Sequence, residues 1–363
     1  MPIIDFHVHY TPPEMMGGLG GLSVRYTGGV PTYLLHPALG DLDRHVQAMD
    51  TAGIDLAVLS SGAGMEGTLD ECRRVNDCLK AAEERYPKRF AGLAHTQPLG
   101  GEPALRELER AVQELGFKGA AATTEVEGRP LDSPELWPYY ERLEELGLFL
   151  FIHPSLKPLG MEYMADYDLA RCLGREFGLA LSVVRLISGG VLDRYPGLRV
   201  CFSHLGGGVA ALLGRVRLYQ DKAFWGTAGD ERHGRLPKEP FDHYFQRLYF
   251  DTGGFAGEMR ALKASLLEMA PAQVLFGSDY PQEIRDPNRL GSFVRDVRDL
   301  PLPAADTEAV LGANAARILG LGVNTHLGKW HRPLACANRR DACSTLSRAR
   351  CFITGLPKGH EEL

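Results

Sequence analysis

The chain has 363 residues, 44% of them hydrophobic, enough to bury a large core and to fill one α/β barrel of about 250 residues with insertions. A net charge of -6 and a pI near 6.1 leave no basic footprint for nucleic acid, and no apolar run approaches the roughly 20 residues that span a bilayer. The N-terminus has no positive segment with a cleavage site, and the seven cysteines match neither a zinc ribbon nor a disulfide framework, so a reducing cytoplasm is expected.

The first strand is predicted from Ile3 to His9. Alternation with period two places Asp5, His7 and His9 on one face and Ile4, Phe6 and Val8 on the other. Two imidazoles at i and i+2 can bind one metal ion; they can equally be satisfied structural histidines, and the pair alone leaves both readings open. A long Gly/Pro-rich loop, Thr11 to about Gly40, is expected to be functional because connectors of that length are rare in compact domains.

A helix over Leu42–Thr51, a strand over Asp55–Ser60, a helix over Leu69–Arg85 and a strand over Phe90–Thr96 follow. Leu105, Leu108, Val112 and Leu115 recur at helical spacing within Gly101–Leu115, and Phe117–Thr124 reads as the fourth strand. Asp132-Ser133-Pro134-Glu135 opens the next helix, with a capping residue, proline in the first turn and an acid behind it.

Three later apolar runs each end in a residue suited to metal or proton chemistry. Leu148–Ile152 ends in His153-Pro154, Leu198–Ser203 in His204 followed by three glycines, and Val274–Ser278 in Asp279-Tyr280-Pro281. Continuous apolar runs suit strands covered on both sides, and in a β/α barrel the carboxyl ends of the strands assemble the active site. Between them lie a Met/Tyr-rich insertion (158–168), a helical stretch through Leu186 and Val191, and a charged, aromatic excursion from Gln220 to Pro240 before a strand at Leu248–Thr252. The triple glycine after His204 is expected to let a ligand approach the backbone closely. Helical periodicity returns over Thr307–Leu319.

Beyond about Leu321 periodicity vanishes and basic residues dominate. Cys336, Cys343 and Cys351 fit no common zinc spacing, so residues 322–363 are expected to be a poorly ordered basic tail. Eight alternations of strand and helix predict a single-domain (β/α)8 TIM barrel over 1–321, with an open sheet not excluded by spacing alone.

The motifs Asp5-Phe6-His7-Val8-His9, Phe151-Ile152-His153-Pro154, Ser203-His204-Leu205-Gly206-Gly207-Gly208 and Gly277-Ser278-Asp279-Tyr280-Pro281 resemble the amidohydrolase superfamily, in the branch typified by α-amino-β-carboxymuconate-ε-semialdehyde decarboxylase. Met49–Ile54, Tyr86–Phe90 and Ser188–Val191 are similar to secondary landmarks of that branch. The resemblance implies one divalent ion on His7, His9, His153 and Asp279, with His204 as acid/base. Zinc is favoured by the HxH pair, with manganese as the alternative. The strand-four end, Ala122-Thr123-Thr124, lacks the lysine of binuclear members, which implies one metal.

The implied activity is decarboxylation of a small aromatic or unsaturated carboxylic acid; hydrolysis of a lactone or amide, or hydration, is the alternative, and a metal-containing binding barrel the non-enzymatic one. His45 and Gln47 stand where the branch's decarboxylase carries a carboxylate-binding arginine pair, which argues against the same dicarboxylate. Arg185 resembles a position at which benzoate-type decarboxylases meet a carboxylate, and Arg25 in the first loop and His45 are the other candidate substrate-binding residues. No nucleic acid or membrane partner is expected, and the resemblance implies a homodimer.

Overall fold

The computed structural model describes residues 1–17, 21–221 and 237–321. In chain order the strands are β1 (Ile4–His9), the hairpin β2 (Ser23–Thr27) and β3 (Val30–Leu35), β4 (Leu56–Ser60), β5 (Phe90–Gly92) and β6 (Gly119–Thr123). A small hairpin, β7 (Glu125–Val126) and β8 (Arg129–Pro130), precedes β9 (Phe149–His153), β10 (Arg199–Phe202), β11 (Tyr249–Asp251) and β12 (Val274–Leu275).

The eight long-range strands pair in parallel, in the orders β1-β4-β5 and β12-β11-β10-β9-β6. Two seams join these arcs. Ala94 bridges Ala120, with Ala121 N donating to Ala94 O at 2.9 Å, and Val8 bridges Tyr280, with Phe6 N donating to Phe276 O at 2.8 Å. The result is a closed (β/α)8 barrel, as expected from the alternation of elements. Helices such as Leu42–Ala52, Leu69–Arg85, Gly101–Gln113, Arg175–Ser188 and Pro287–Arg298 wrap it.

Strand alternation divides the core in two. Leu56, Val58, Leu93, Ala121, Phe149, Phe151, Cys201 and Leu275 fill the inside together with Ala315 and Ile318. Ala57, Leu59, Ala120, Leu150, Ile152, Val200, Phe202 and Phe250 face the helices.

In β1 the expected strict alternation fails. Asp5 pairs with Ala57 but Val8 with Leu59, so Phe6 and His7 together oppose Val58 in a bulge. Ile4 and Phe6 therefore belong to the inner cluster, Phe6 meeting Phe149 at 5.2 Å, while His7 is also turned inward. Asp5 does not join the histidines; it accepts from Ser278 N at 2.9 Å and Ser278 Oγ at 2.5 Å.

The long loop after β1 contains an element that composition alone did not suggest. Gly28 and Gly29, both at positive φ, make a two-residue turn between β2 and β3. Residues 222–236 of the charged excursion and the tail 322–363 lie outside the described residues. Among the described residues no helix is long and apolar enough to cross a membrane.

Candidate active site

The barrel brings His7, His9, His153, His204 and Asp279 together at the carboxyl ends of its strands, all buried. His7 Nε2 lies 3.1 Å from His9 Nε2; Asp279 Oδ1 lies 3.0 Å from His9 Nε2 and 3.6 Å from His7 Nε2. The rings of His153 and His9 meet edge-on at 4.9 Å. A tetrahedral shell with bonds of about 2.0–2.1 Å has ligand edges near 3.3 Å, the spacing seen here.

The hydrogen bonds behind each ring decide which nitrogen faces inward. His7 Nδ1 donates to Asp251 Oδ2 at 3.0 Å, and His153 Nδ1 to the Pro154 carbonyl at 3.0 Å. His9 Nδ1 faces Ser60 Oγ at 3.4 Å. The Nε2 atoms of His7 and His153 are left with their lone pairs directed into the cluster, where His9 Nε2 also points. Asp279 Oδ1, buried, has no hydrogen-bond partner among the described residues. Converging lone pairs and a carboxylate oxygen repel unless a cation lies between them, so this donor set fits a metal ion.

Charge in the cluster is shared unevenly. Burial pushes the His9 and His153 pKa values down, well down for His153, and keeps both neutral. Burial also opposes the charged form of Asp279, but the imidazoles around it hold its carboxyl well below the usual range. For His204 burial is again the largest single influence and acts downward, yet Glu176 and Asp279 together outweigh it and keep the ring protonated well above the ordinary histidine value. His204 Nδ1 donates to Glu176 Oε1 at 2.8 Å, which leaves Nε2 pointing into the site, 3.5 Å from Asp279 Oδ2.

The backbone that presents His204 is unusual. His204, Leu205 and the three glycines after them all have positive φ, a left-handed turn that L-residues adopt only under constraint. A Cβ on Gly207 would sit 1.9 Å from the carbonyl oxygen of Glu176. The close approach permitted by the triple glycine is thus to this chain's own backbone at Glu176, where the ligand had been expected. It brings the Glu176 turn against His204.

Three predicted residues are not brought to this cluster. Arg185 forms a two-pronged pair with Asp132, at 2.6 and 3.0 Å, on the helix surface. Arg25 is exposed on β2, opposite Tyr33. His45 lies behind the barrel wall between the rings of Tyr10 and Tyr280, and burial pushes its pKa to about 3. A cavity of about 310 Å³ lies among the loops after β4, β5, β6 and β9, lined by Glu66, Thr96, Thr123, Glu125, Ser155 and Lys157 among others.

The amidohydrolase family model matches residues 4–321. The chain belongs to the amidohydrolase family. This amidohydrolase is 30% identical over 296 residues to the 2-amino-3-carboxymuconate-6-semialdehyde decarboxylase of Dictyostelium discoideum, covering 79% of each chain. It superimposes on the 5-carboxyvanillate decarboxylase of Sphingomonas paucimobilis with a TM-score of 0.73 at 24% identity, covering 88% of this chain and 99% of that one. The dihydroxybenzoic acid decarboxylase of Polaromonas sp. JS666, whose structure holds manganese and the inhibitor 2-nitroresorcinol, matches with a TM-score of 0.73 at 25% identity over 88% and 97%.

Sequence reasoning missed Asp251 and Glu176, the carboxylates that hold His7 and His204. Asp251 ends a barrel strand and was open to the same argument that found Asp279. Glu176 lies in the first turn of helix Arg175–Ser188, where an acid is ordinary, so nothing in the pattern marked it.

Proposed function

We propose that this amidohydrolase is a metal-dependent decarboxylase of a small aromatic carboxylic acid, with one ion held by His7, His9, His153 and Asp279. One observation carries the reading. Three imidazole nitrogens gather together, the Asp279 carboxylate lies 3.0 Å from one of them, and His204 Nε2 lies 3.5 Å from that carboxylate. The chain's relatives, moreover, are named decarboxylases. Three nitrogens and one oxygen favour zinc; manganese, present in the structures of two relatives, prefers more oxygen. When bound, the ion supplies Lewis-acid charge that polarises substrate oxygens.

The proton is the work of His204. With Asp279 committed to the ion, Glu176 is the carboxylate left to stabilise the imidazolium through Nδ1. The Nε2 proton then passes to the ring carbon that bears the carboxylate, drawing on the ring's π electrons. The bond to the carboxylate breaks, its electron pair restores the ring, and carbon dioxide leaves. His204 is left neutral, still held by Glu176, and takes its next proton from solvent.

The test is purified protein loaded with zinc or manganese, screened against hydroxylated and carboxylated benzoates and against lactones. Carbon dioxide release that requires the ion supports the proposal. Ring opening of a lactone, with no carbon dioxide from any acid, would replace it with a hydrolase.

A further inference from the structure

Outside the metal cluster, the mouth of the barrel holds a guanidinium, that of Arg175, on which Asp279, Glu176 and Glu283 act only from beyond ion-pair distance among the described residues. Arg175 is half-buried, and its guanidinium donates to the carbonyl of Thr32; it forms no ion pair among the described residues. Its neighbours on the same stretch differ, since Arg171 is paired with Asp168 and Arg185 with Asp132. Arg175 is also adjacent to Glu176, which grips His204, so it is rooted beside the reacting centre.

The contact with Thr32 ties it to β3. Gln282, three residues after Asp279, donates to the Leu34 carbonyl at 3.0 Å. Arg175 and Gln282 thus pin the strand on either side of Tyr33. The Tyr33 ring reaches down to Gly62, where an added Cβ would lie 2.9 Å from its hydroxyl oxygen. The Tyr33 and Thr11 hydroxyls are both buried and face one another, with the Gln282 side chain also beside Tyr33, though none of these approaches meets full hydrogen-bonding geometry. Asp279 exerts its field on both Arg175 and Tyr33. A guanidinium with no ion pair among the described residues and two hydroxyls in poor mutual geometry therefore border the site that holds the metal ligands.

We propose that Arg175 and Tyr33 receive a second carboxylate of the substrate, distinct from the one that departs. This rests on the decarboxylase reading and names its substrate class, an aromatic diacid. Physics separates the two carboxylates. The departing group loses its negative charge on becoming carbon dioxide, so a guanidinium bound to it would stabilise the ground state more than the transition state. A spectator carboxylate keeps its charge throughout, and there the same pairing orients the ring without slowing the chemistry. With Nη2 partly engaged by Thr32, the guanidinium still offers several N–H groups, and the Tyr33 hydroxyl adds one more donor.

The experiment uses the zinc-loaded protein and two probes, benzoate and benzene-1,3-dicarboxylate, with binding followed by calorimetry. The wild type should bind the diacid at least about tenfold more tightly than benzoate, a difference of about 1.4 kcal/mol. Arg175→Met should abolish that preference and leave benzoate affinity and zinc content unchanged. Tyr33→Phe, a milder change, should reduce the preference several-fold. Gln282→Met loosens the other pin of β3 and removes a neighbour of Tyr33 without removing a charge, so it should weaken the preference no more than Tyr33→Phe does. Equal loss for both probes in Arg175→Met, or the same loss in Gln282→Met, would assign Arg175 a structural role and overturn the proposal. So would a wild type that does not prefer the diacid. Failure of the decarboxylase reading is seen separately, as preferential diacid binding without release of carbon dioxide from any aromatic diacid.

Discussion

The site depends on carboxylates that do not face the metal position themselves. Asp251 fixes the tautomer and tilt of His7, and partners of this kind typically govern metal affinity by 10- to 100-fold. Asp251→Asn should weaken zinc binding by about that factor, measured by competition with a chromogenic chelator; unchanged affinity would show that His7 is oriented by packing alone. Glu176 acts on the other histidine. Its carboxylate raises the His204 pKa, so Glu176→Gln should lower it. Because decarboxylation is proposed to need protonated His204, the falling high-pH limb of kcat should move to lower pH. A limb that stays in place would remove Glu176 from the proton path. In each case a residue two or more bonds removed from the chemistry sets the state of one that performs it.

At the scale of elements, the left-handed turn at His204 and the start of helix Arg175–Ser188 form one device. Gly207 has φ of +63° and lies against the Glu176 carbonyl, so Gly207→Ala would meet both backbone strain and a steric clash. The strain alone is about 1–2 kcal/mol, and relieving the clash must separate Glu176 from His204. Zinc content should survive while turnover falls steeply; full activity would show that the two elements need not touch. The sequence made part of this arrangement visible. Continuous apolar runs ending in His153, His204 and Asp279 identified the strands and the ends at which these residues cluster, because burial on both faces leaves a plain hydrophobic signature. The bulge in β1 was hidden, since one extra residue in a strand does not alter composition. The β2–β3 hairpin was marked by Gly28-Gly29 between β-forming residues, but the many other glycines and prolines around it masked the signal. Arg185 misled because a helix-surface arginine and a pocket arginine look alike until Asp132, 53 residues away in sequence, is placed beside one of them.

For the molecule as a whole, closing the barrel buries ionisable groups whose protons link folding to pH. Burial pushes the pKa of His45 to about 3 and those of His36 and His95 to about 4. Each lies below the unfolded value of about 6.5, so the stability these groups support is complete above that pH and is lost as pH falls towards the folded values. Asp5 works in the opposite sense. Burial raises its carboxyl to about 7, so it takes up a proton on folding, and its contribution is lost as pH rises from about 4 towards 7. Glu283, whose carboxyl burial also raises to about 7, works as Asp5 does. Three histidines against two carboxyls leave a net one proton, and acid should destabilise the barrel between about pH 6 and pH 4 by up to about 1.4 kcal/mol per unit from these groups. The difference between wild type and His45→Phe isolates one of them, because every other titration, including that of the metal ligands, is common to both. Phenylalanine can keep the ring packing against Tyr10 and Tyr280, so the variant should fold. The unfolding free energy of the variant, measured in urea at a series of pH values, should fall less steeply with acid by up to about 1.4 kcal/mol per unit. Parallel curves would mean that His45 gains its proton in the folded barrel as readily as in the unfolded chain, and that its position behind β1 is not closed to water.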